Sequence, residues 1–461
     1  MKNILANSSE KPCGCTKILD SPKAADQTCP ATGYQRVSVC APVEVRPFAR
    51  PGVTRTKCCG KPKLTPGKIT CHGDKNGSCH FTVNQELCIK VPVMFGASAT
   101  VGDTHVKCLG VSSEDTCDEC GGGGTKPPLP KRVSLPYLFG ATSEQYLEML
   151  AKTRHSITMV CPDFFNLDDG GNLVLAGVNK LNKPFIDALH AQGILVVPFI
   201  TNHFDRPLAI TAIENREALS GQIADAIEEY GLDGVDVDIE NATHEQRDIY
   251  TDLMRLLRQR LGESKIVATA VAANPRGFTV GWHGQYDYKA LSYYCDYLMI
   301  MNYDEHFQGG PEGPISSSDF FVGSIEYALA QEVPKERIIS GIPFFGRYWK
   351  EGEHVGGIGL AGRDVEFLLD NYASSHRFDN ETQSDHAIVT IKTDDVEPEI
   401  WGGRKMTAGT YSIWYDSPRA TRFKLETINR YDLLGVGSWC LGQEILSVWD
   451  FFNDALNNLP A

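Results

Sequence analysis

The spacing of apolar and polar positions changes character near residue 130. Before it, stretches such as QRVSVCAPVEVRPF and CHFTVNQELCIKVPVMFG alternate in period two, with Pro and Gly between the runs, as β-strands do. A faint repeat is visible there. Cys40 opens APVEVRPFA and its stretch ends in TKCCG, and Cys88 opens IKVPVMFGA and its stretch ends in VKCLG. Two similar β-units, packed as a small sandwich, are expected. After residue 130, short apolar runs alternate with helix-like stretches. The runs are VSLPYLFG, ITMVC, GILVVPFI, GVDVDIE, IVATAVA, YLMIMNY, IISGIPFF and LGVGSW. Between them, REALSGQIADAIEEYG and QRDIYTDLMRLLRQRLG repeat apolar residues at i, i+3 and i+4 and stop at Gly. Eight strands, each followed by a crossover, in about 330 residues predict a (β/α)8 TIM barrel. A doubly wound sheet is the alternative, but it needs a Gly-rich phosphate turn after an early strand, and none is present. The stretch from about Tyr348 to Thr410 is too long for one crossover and carries the strand-like AIVTIKT. It reads as a small α+β insertion between strands seven and eight.

Composition separates the two parts. The 461 residues are 42% hydrophobic and 22% charged, ordinary for globular domains. No run of eighteen apolar residues suggests a membrane span, and the start MKNILANSSEKPCGC lacks the apolar core of a Sec signal peptide. Residues 1–125 carry a net charge of +4 and the remainder −18, which argues against nucleic acid as partner of the larger part. Twelve of the fifteen cysteines lie at or before Cys120, a density typical of a disulfide-stapled module. The string GGGGTKPPLP joins a flexible to a stiff spacer. The expected organisation is a Cys-rich all-β domain (1–120), a linker (121–130) and the barrel (131–461).

One predicted strand is chemically odd. LDGVDVDIE (232–240) carries four acids among apolar residues. Side chains at i, i+2 and i+4 of a strand share one face, roughly 6.6 Å apart. Asp236, Asp238 and Glu240 therefore form a row, with Val235, Val237 and Ile239 behind it. In a barrel the valines pack on the helices and the acids run up the interior, with Glu240 at the C-terminal rim where barrel active sites form. Close, shielded carboxyls repel, so at least one keeps its proton near neutral pH, as a general acid for glycosidic cleavage requires. Asp238 is placed to hydrogen-bond a substrate group beside the reacting carbon. Asp233 faces the other way and is expected to tether the strand's start. A calcium loop would draw its ligands from a turn, not from alternating valines. An acidic edge strand facing water would not be flanked by helices.

The string DGVDVDIE resembles the signature D-G-x-D-x-D-x-E of glycoside hydrolase family 18. Further pieces agree in order: MNYD (301–304) with the family's M-x-Y-D motif, GIPFFGR (341–347) with its seventh strand and GSWCLGQE (437–444) with its eighth. The resemblance covers about residues 130–460. It implies retaining hydrolysis of β-1,4 bonds assisted by the substrate, whose 2-acetamido oxygen attacks the anomeric carbon. Glu240 would be the acid and later the base. Asp238 would hold the acetamido N–H, with a proton shared with Asp236. Tyr303 would hold the acetamido carbonyl, and Trp439 would floor the sugar. Asp233 and Gly234 complete the motif. Asn302, Asp304 and Arg347 are substrate-binding candidates, with a structural ion pair as the other reading for Asp304 and Arg347. His306 reads as a rim-loop residue. No cofactor and no metal are implied.

Longer strings, MNYDEHFQGGPEGPISS and LLGVGSWCLGQE among them, resemble the branch of the family found in spore-forming bacteria, which implies chitin or spore peptidoglycan as substrate and a spore coat or exosporium location. The small cell-wall-binding repeats common in that branch are missing from this sequence. The Cys-rich part is loosely similar to β-modules of spore-surface proteins. The vicinal Cys58 and Cys59 cannot easily bridge each other, so they, with Cys13 and Cys15, are candidates for disulfides to other chains or to spore-coat proteins. An intramolecular framework is equally compatible with twelve cysteines. Zinc ranks last, because Cys117-x-x-Cys120 is only half a ligand set. Cys161, Cys295 and Cys440 read as buried thiols. The competing functional reading is a structural spore-surface or filament subunit, with the barrel as lectin or displayed cargo.

Overall fold

A computed structural model of the chain describes residues 132–458 in full and, ahead of them, only the backbone of eight strands between residues 34 and 112. The chain divides into two units, Met1–Gly122 and Gly123–Ala461. In the first, Tyr34–Cys40 pairs with His105–Ser112, Val43–Pro51 with Val93–Val101, Arg55–Cys58 with Leu87–Lys90, and Lys63–Pro66 with Phe81–Asn84, all antiparallel. These ladders nest one inside the next. Pairing thus runs between the two similar stretches instead of closing each on itself, which revises the expectation of two separate β-units. Cys13, Cys15 and Cys59 lie outside the described residues, as does the side chain of Cys58.

The second unit is a (β/α)8 barrel of parallel strands in chain order. They are β1 (Val133–Leu138), β2 (Met159–Pro162), β3 (Leu195–Val196 and Phe199–Thr201), β4 (Gly234–Asp238), β5 (Ile266–Ala272), β6 (Tyr297–Met301), β7 (Ile338–Pro343) and β8 (Gly435–Trp439). Each pairs with its neighbour, and β8 pairs with β1. The third strand closes the ring in two pieces. Its first half pairs with β2 and its second with β4. At the break, Pro198 has no N–H to give, but its carbonyl accepts from Asp236 N–H at 3.0 Å, while Val197 N–H donates to Val160. The apolar run GILVVPFI is therefore one strand interrupted, not one continuous strand.

Both helical stretches form as their spacing predicts, as Arg216–Tyr230 and Arg247–Leu261. Each stops at a glycine with positive φ, Gly231 (68°) and Gly262 (61°), the backbone state that side chains disfavour. On β4 the valines and acids take opposite faces. Val235 and Val237 are fully buried in the core between strands and helices, and Asp236 is fully buried inside the ring. There it sits among the interior layers built by Tyr137, Met159, Cys161, Ala268 and Tyr297. Gly234 permits the close β4–β5 approach, since a Cβ there would lie 2.1 Å from the carbonyl oxygen of Ile266.

The insertion between β7 and β8 is a five-stranded antiparallel sheet with one helix, Gly362–Asn371. Its strands begin at Phe345 and end at Tyr415, a few residues wider on each side than the sequence suggested. A short hairpin, Phe165–Leu167 with Leu173–Leu175, adds to the edge of β3 and was not anticipated.

Candidate active site

The row of acids on β4 climbs from a closed to an open environment. Asp236 is fully buried, Asp238 is 6% exposed, and Glu240, beyond the strand's end, is partly open. Oδ2 of Asp236 accepts from the hydroxyls of Tyr137 (3.1 Å) and Tyr297 (3.2 Å), with the Cys161 thiol at 3.8 Å. These are neutral donors. Burial lifts the Asp236 carboxyl to about 6, against the pull of those three donors. Burial first, and then the charge of Asp236, lifts Asp238 to about 7. Glu240 is pushed well above the usual carboxyl range by burial, then by Asp238 and Asp304. One oxygen of Asp236 and one of Asp238, Oδ1 in each case, is buried with no hydrogen-bond partner. A bare buried carboxylate oxygen is costly, and a proton or a substrate N–H relieves that cost.

Two buried amides that sequence reading missed hold Glu240 in place. Asn202, at the end of β3, accepts from Glu240 N–H at 2.7 Å and donates to Glu240 carbonyl at 2.9 Å. Gln285 donates to the carbonyl of Ile239 at 2.7 Å. Both amides are fully buried. The only local signal for either is a polar amide just past an apolar strand or inside a loop, and many unrelated residues share it.

Tyr303 and Trp439 come to the same mouth. Gly341 clears room for Tyr303, because a Cβ there would lie 3.0 Å from its ring. Burial and the charges of Asp238, Glu240 and Asp304 raise the Tyr303 phenol, so it stays a hydrogen-bond donor. Trp439 lies against Phe139 (5.5 Å), Tyr137 (5.6 Å) and Phe199 (6.0 Å) and is followed by a cis peptide bond to Cys440. Asp238, Glu240, Tyr303 and Trp439 all line one cleft of about 1060 Å³. The insertion contributes Gly359, Leu360 and Ala361 to its wall. The exposed aromatics Phe204, Phe278 and Phe307 also line it, and none of them stood out in the sequence.

The remaining candidates separate. Arg347 binds both oxygens of Asp304, at 2.8 and 2.7 Å, and both residues line the cleft. They are an ion pair and part of the cleft wall at once. Asn302 does not reach the cleft. It is fully buried and donates to Ser340 Oγ at 2.8 Å, tying β6 to β7. That placement corrects its assignment as a substrate contact: Tyr303 takes the position facing the opening, and its neighbour turns inward. Asp233 tethers the start of β4, accepting from Val196 N–H at 2.7 Å with His190 Nε2 at 2.8 Å. His306 lies on the loop after β6, with Nδ1 2.9 Å from the Pro314 carbonyl oxygen. Cys161, Cys295 and Cys440 are buried free thiols. Among the described residues, no group of His, Cys, Asp and Glu is arranged to hold a metal ion.

Comparison with known proteins agrees with this geometry. A protein of Bacillus subtilis (strain 168) named as a sporulation-specific glycosylase, YdhD, is 27% identical over 228 residues, covering 49% of this chain and 51% of that protein. The chain thus spans about half the length of that relative. The cortical fragment-lytic enzyme of the same organism is 22% identical over 345 residues, covering 72% of this chain and 76% of the enzyme. A solved chitinase from Chromobacterium violaceum ATCC 12472 shares the fold, with a TM-score of 0.61 at 22% identity over 70% of this chain and 99% of that one. Residues 200–444 match the family described as glycosyl hydrolases family 18. That span runs from the end of β3 past β8 and takes in the acid row, Tyr303 and Trp439, and the chain belongs to glycosyl hydrolases family 18.

Proposed function

We propose that the chain hydrolyses β-1,4 glycosidic bonds in N-acetylglucosamine-containing glycans, with retention and with the substrate's own acetamido group as nucleophile. The observation that carries this reading is the row Asp236–Asp238–Glu240, paired with no Lys or Arg among the described residues, rising into the cleft and ending in a carboxyl pushed well above its usual range. Glu240 donates its proton to the leaving oxygen as the C1–O bond breaks. The acetamido carbonyl oxygen bonds to C1 from the other face, giving an oxazolinium ion. Asp238, which lines the cleft, accepts the acetamido N–H and shares a proton with Asp236 below. The Tyr303 hydroxyl donates to the acetamido carbonyl and aims it, and Trp439 offers an apolar floor to the pyranose. Water, deprotonated by Glu240, then opens the oxazolinium and restores the acid. The chain needs no cofactor for these steps. The test is hydrolysis of chitin oligomers and spore-cortex muropeptides by wild type and Glu240→Gln, with the product anomer read by NMR. Cleavage of neither substrate by wild type would sink the proposal.

The substrate we favour is spore peptidoglycan, supported by likeness to a cortical fragment-lytic enzyme and to a protein named for sporulation. The Cys-rich segment (1–120) would hold the enzyme at the spore surface, through disulfides from Cys13, Cys15, Cys58 or Cys59 to a second chain or to coat proteins. Its cysteine density and the vicinal pair support this. Non-reducing gels of spore extracts test it. A single band at monomer size, with and without reductant, removes the covalent tether.

A further inference from the structure

The charged residues lining the cleft differ in their company. The loop after β6 brings Asp304 and Glu305, the first strand of the insertion brings Arg347, and each is engaged. Arg347 is neutralised by Asp304, and Glu305 accepts from Ser317 N–H at 2.7 Å. The loop after the neighbouring strand β5 contributes Pro275, Arg276, Phe278, Trp282 and His283. That loop has no acidic residue between Ala273 and Tyr286. Arg276 makes no hydrogen bond or ion pair with any described residue. Of the two arginines that line the cleft, Arg347 is held by Asp304 and Arg276 has no carboxylate partner among the described residues.

The backbone under Arg276 is fixed. Asn274, 1% exposed, accepts from Phe278 N–H at 2.8 Å and donates to Phe278 carbonyl at 2.9 Å. Gly277 turns the chain at φ 67° and donates to the Asn274 carbonyl at 3.1 Å. Pro275 packs at the surface of the helix Ser318–Ala330, where a Cβ on Gly323 would lie 3.0 Å from it. A five-residue turn is thus clamped by a buried amide, and it brings to the cleft an arginine with no partner among the described residues together with the exposed Phe278. Holding the backbone in advance lowers the ordering cost of a contact made there. A guanidinium matches a carboxylate with two parallel hydrogen bonds.

We propose that Arg276 is a specificity residue that binds a carboxylate carried on the glycan, so that the cleft selects an acidic N-acetylated polysaccharide over a neutral one. This rests on the glycan hydrolase reading above. The carboxylate is either the lactyl acid of an N-acetylmuramic acid unit or the terminus of a short peptide attached to it.

Binding in the Glu240→Gln background tests this apart from turnover. Three matched tetrasaccharides are titrated calorimetrically: one of N-acetylglucosamine only, one alternating with free-acid N-acetylmuramic acid, and one whose lactyl group carries a short peptide. At least one acidic oligomer is expected to bind more tightly than the neutral one, and which of them does so identifies the carboxylate. Adding Arg276→Gln lowers that preference about tenfold, the usual worth of a charge-assisted hydrogen bond. Arg276→Lys restores part of it, and added salt erodes it. Equal weakening of all three oligomers by Arg276→Gln, no change in any, or no binding of any would overturn the proposal. Failure of the hydrolase reading looks different: wild type would cleave none of the three while the Arg276-dependent preference persisted.

Discussion

Asp416 and Asp236 are both buried in the barrel unit, and each has an oxygen, Oδ1, with no hydrogen-bond partner. Their company differs. Asp416 faces Lys424 at 2.6 Å, both side chains nearly inaccessible, so a cation balances it even as burial pushes it up. Asp236 is met by two phenols and a thiol, and the acids above it add negative potential to the same column. A buried acid given a cation becomes part of the frame. One denied a cation holds a proton that chemistry can use. Asp304 lies between these cases, since Arg347 satisfies it while its charge still reaches Glu240.

The comparison breaks most sharply at the top of the column. Glu240→Gln keeps shape and hydrogen bonding but cannot give or take the proton. Hydrolysis should fall by up to about four orders of magnitude, with oligomer binding retained. Steady-state rates beside calorimetric affinities check this.

Lys424→Met turns Asp416 into the other kind of acid. Urea unfolding should show a loss of about 4 kcal/mol. The loss should shrink at acid pH, where Asp416 can protonate. A pH-independent loss would mean that Lys424 acts through packing.

Asp236→Asn sharpens the contrast from below. The folded protein holds the Asp236 proton up to about 6, against a reference of 3.8. The stability from that tighter proton is fully present below about pH 4 and is lost as pH rises through 6. Asparagine cannot ionise. The stability of Asp236→Asn relative to wild type should therefore climb by about 2.4 kcal/mol between pH 4 and pH 7.5. A flat difference across that range would mean that Asp236 is not protonated by its burial.

The smallest effect is expected at the clamp. Asn202→Ala frees the Glu240 backbone and lets water reach the carboxyl. The rate should fall about tenfold, and the alkaline limb of the pH–rate profile should move to lower pH as the acid loses part of its upward push. An unchanged limb would reduce Asn202 to a packing role.

Much of this was legible in the chain. The eight runs, the helices that stop at Gly231 and Gly262, the insertion after β7 and the acid row on β4 all follow from local rules. Side-chain direction alternates along a strand, and glycine tolerates the left-handed turn. Periodicity is a property of neighbours, so a sequence states it directly. Other features depended on which distant groups meet. Asn202 and Glu240 are 38 positions apart, and Asp304 and Arg347 are 43 apart. Nothing local distinguishes Tyr303, which faces the cleft, from Asn302, which turns inward, or an arginine that finds a carboxylate from Arg276, which does not. The sequence by itself determined that three carboxyls share one face of a buried strand. Only the tertiary structure decided that no Lys or Arg among the described residues pairs with them, because burial and partners are set by what the rest of the barrel brings to that face.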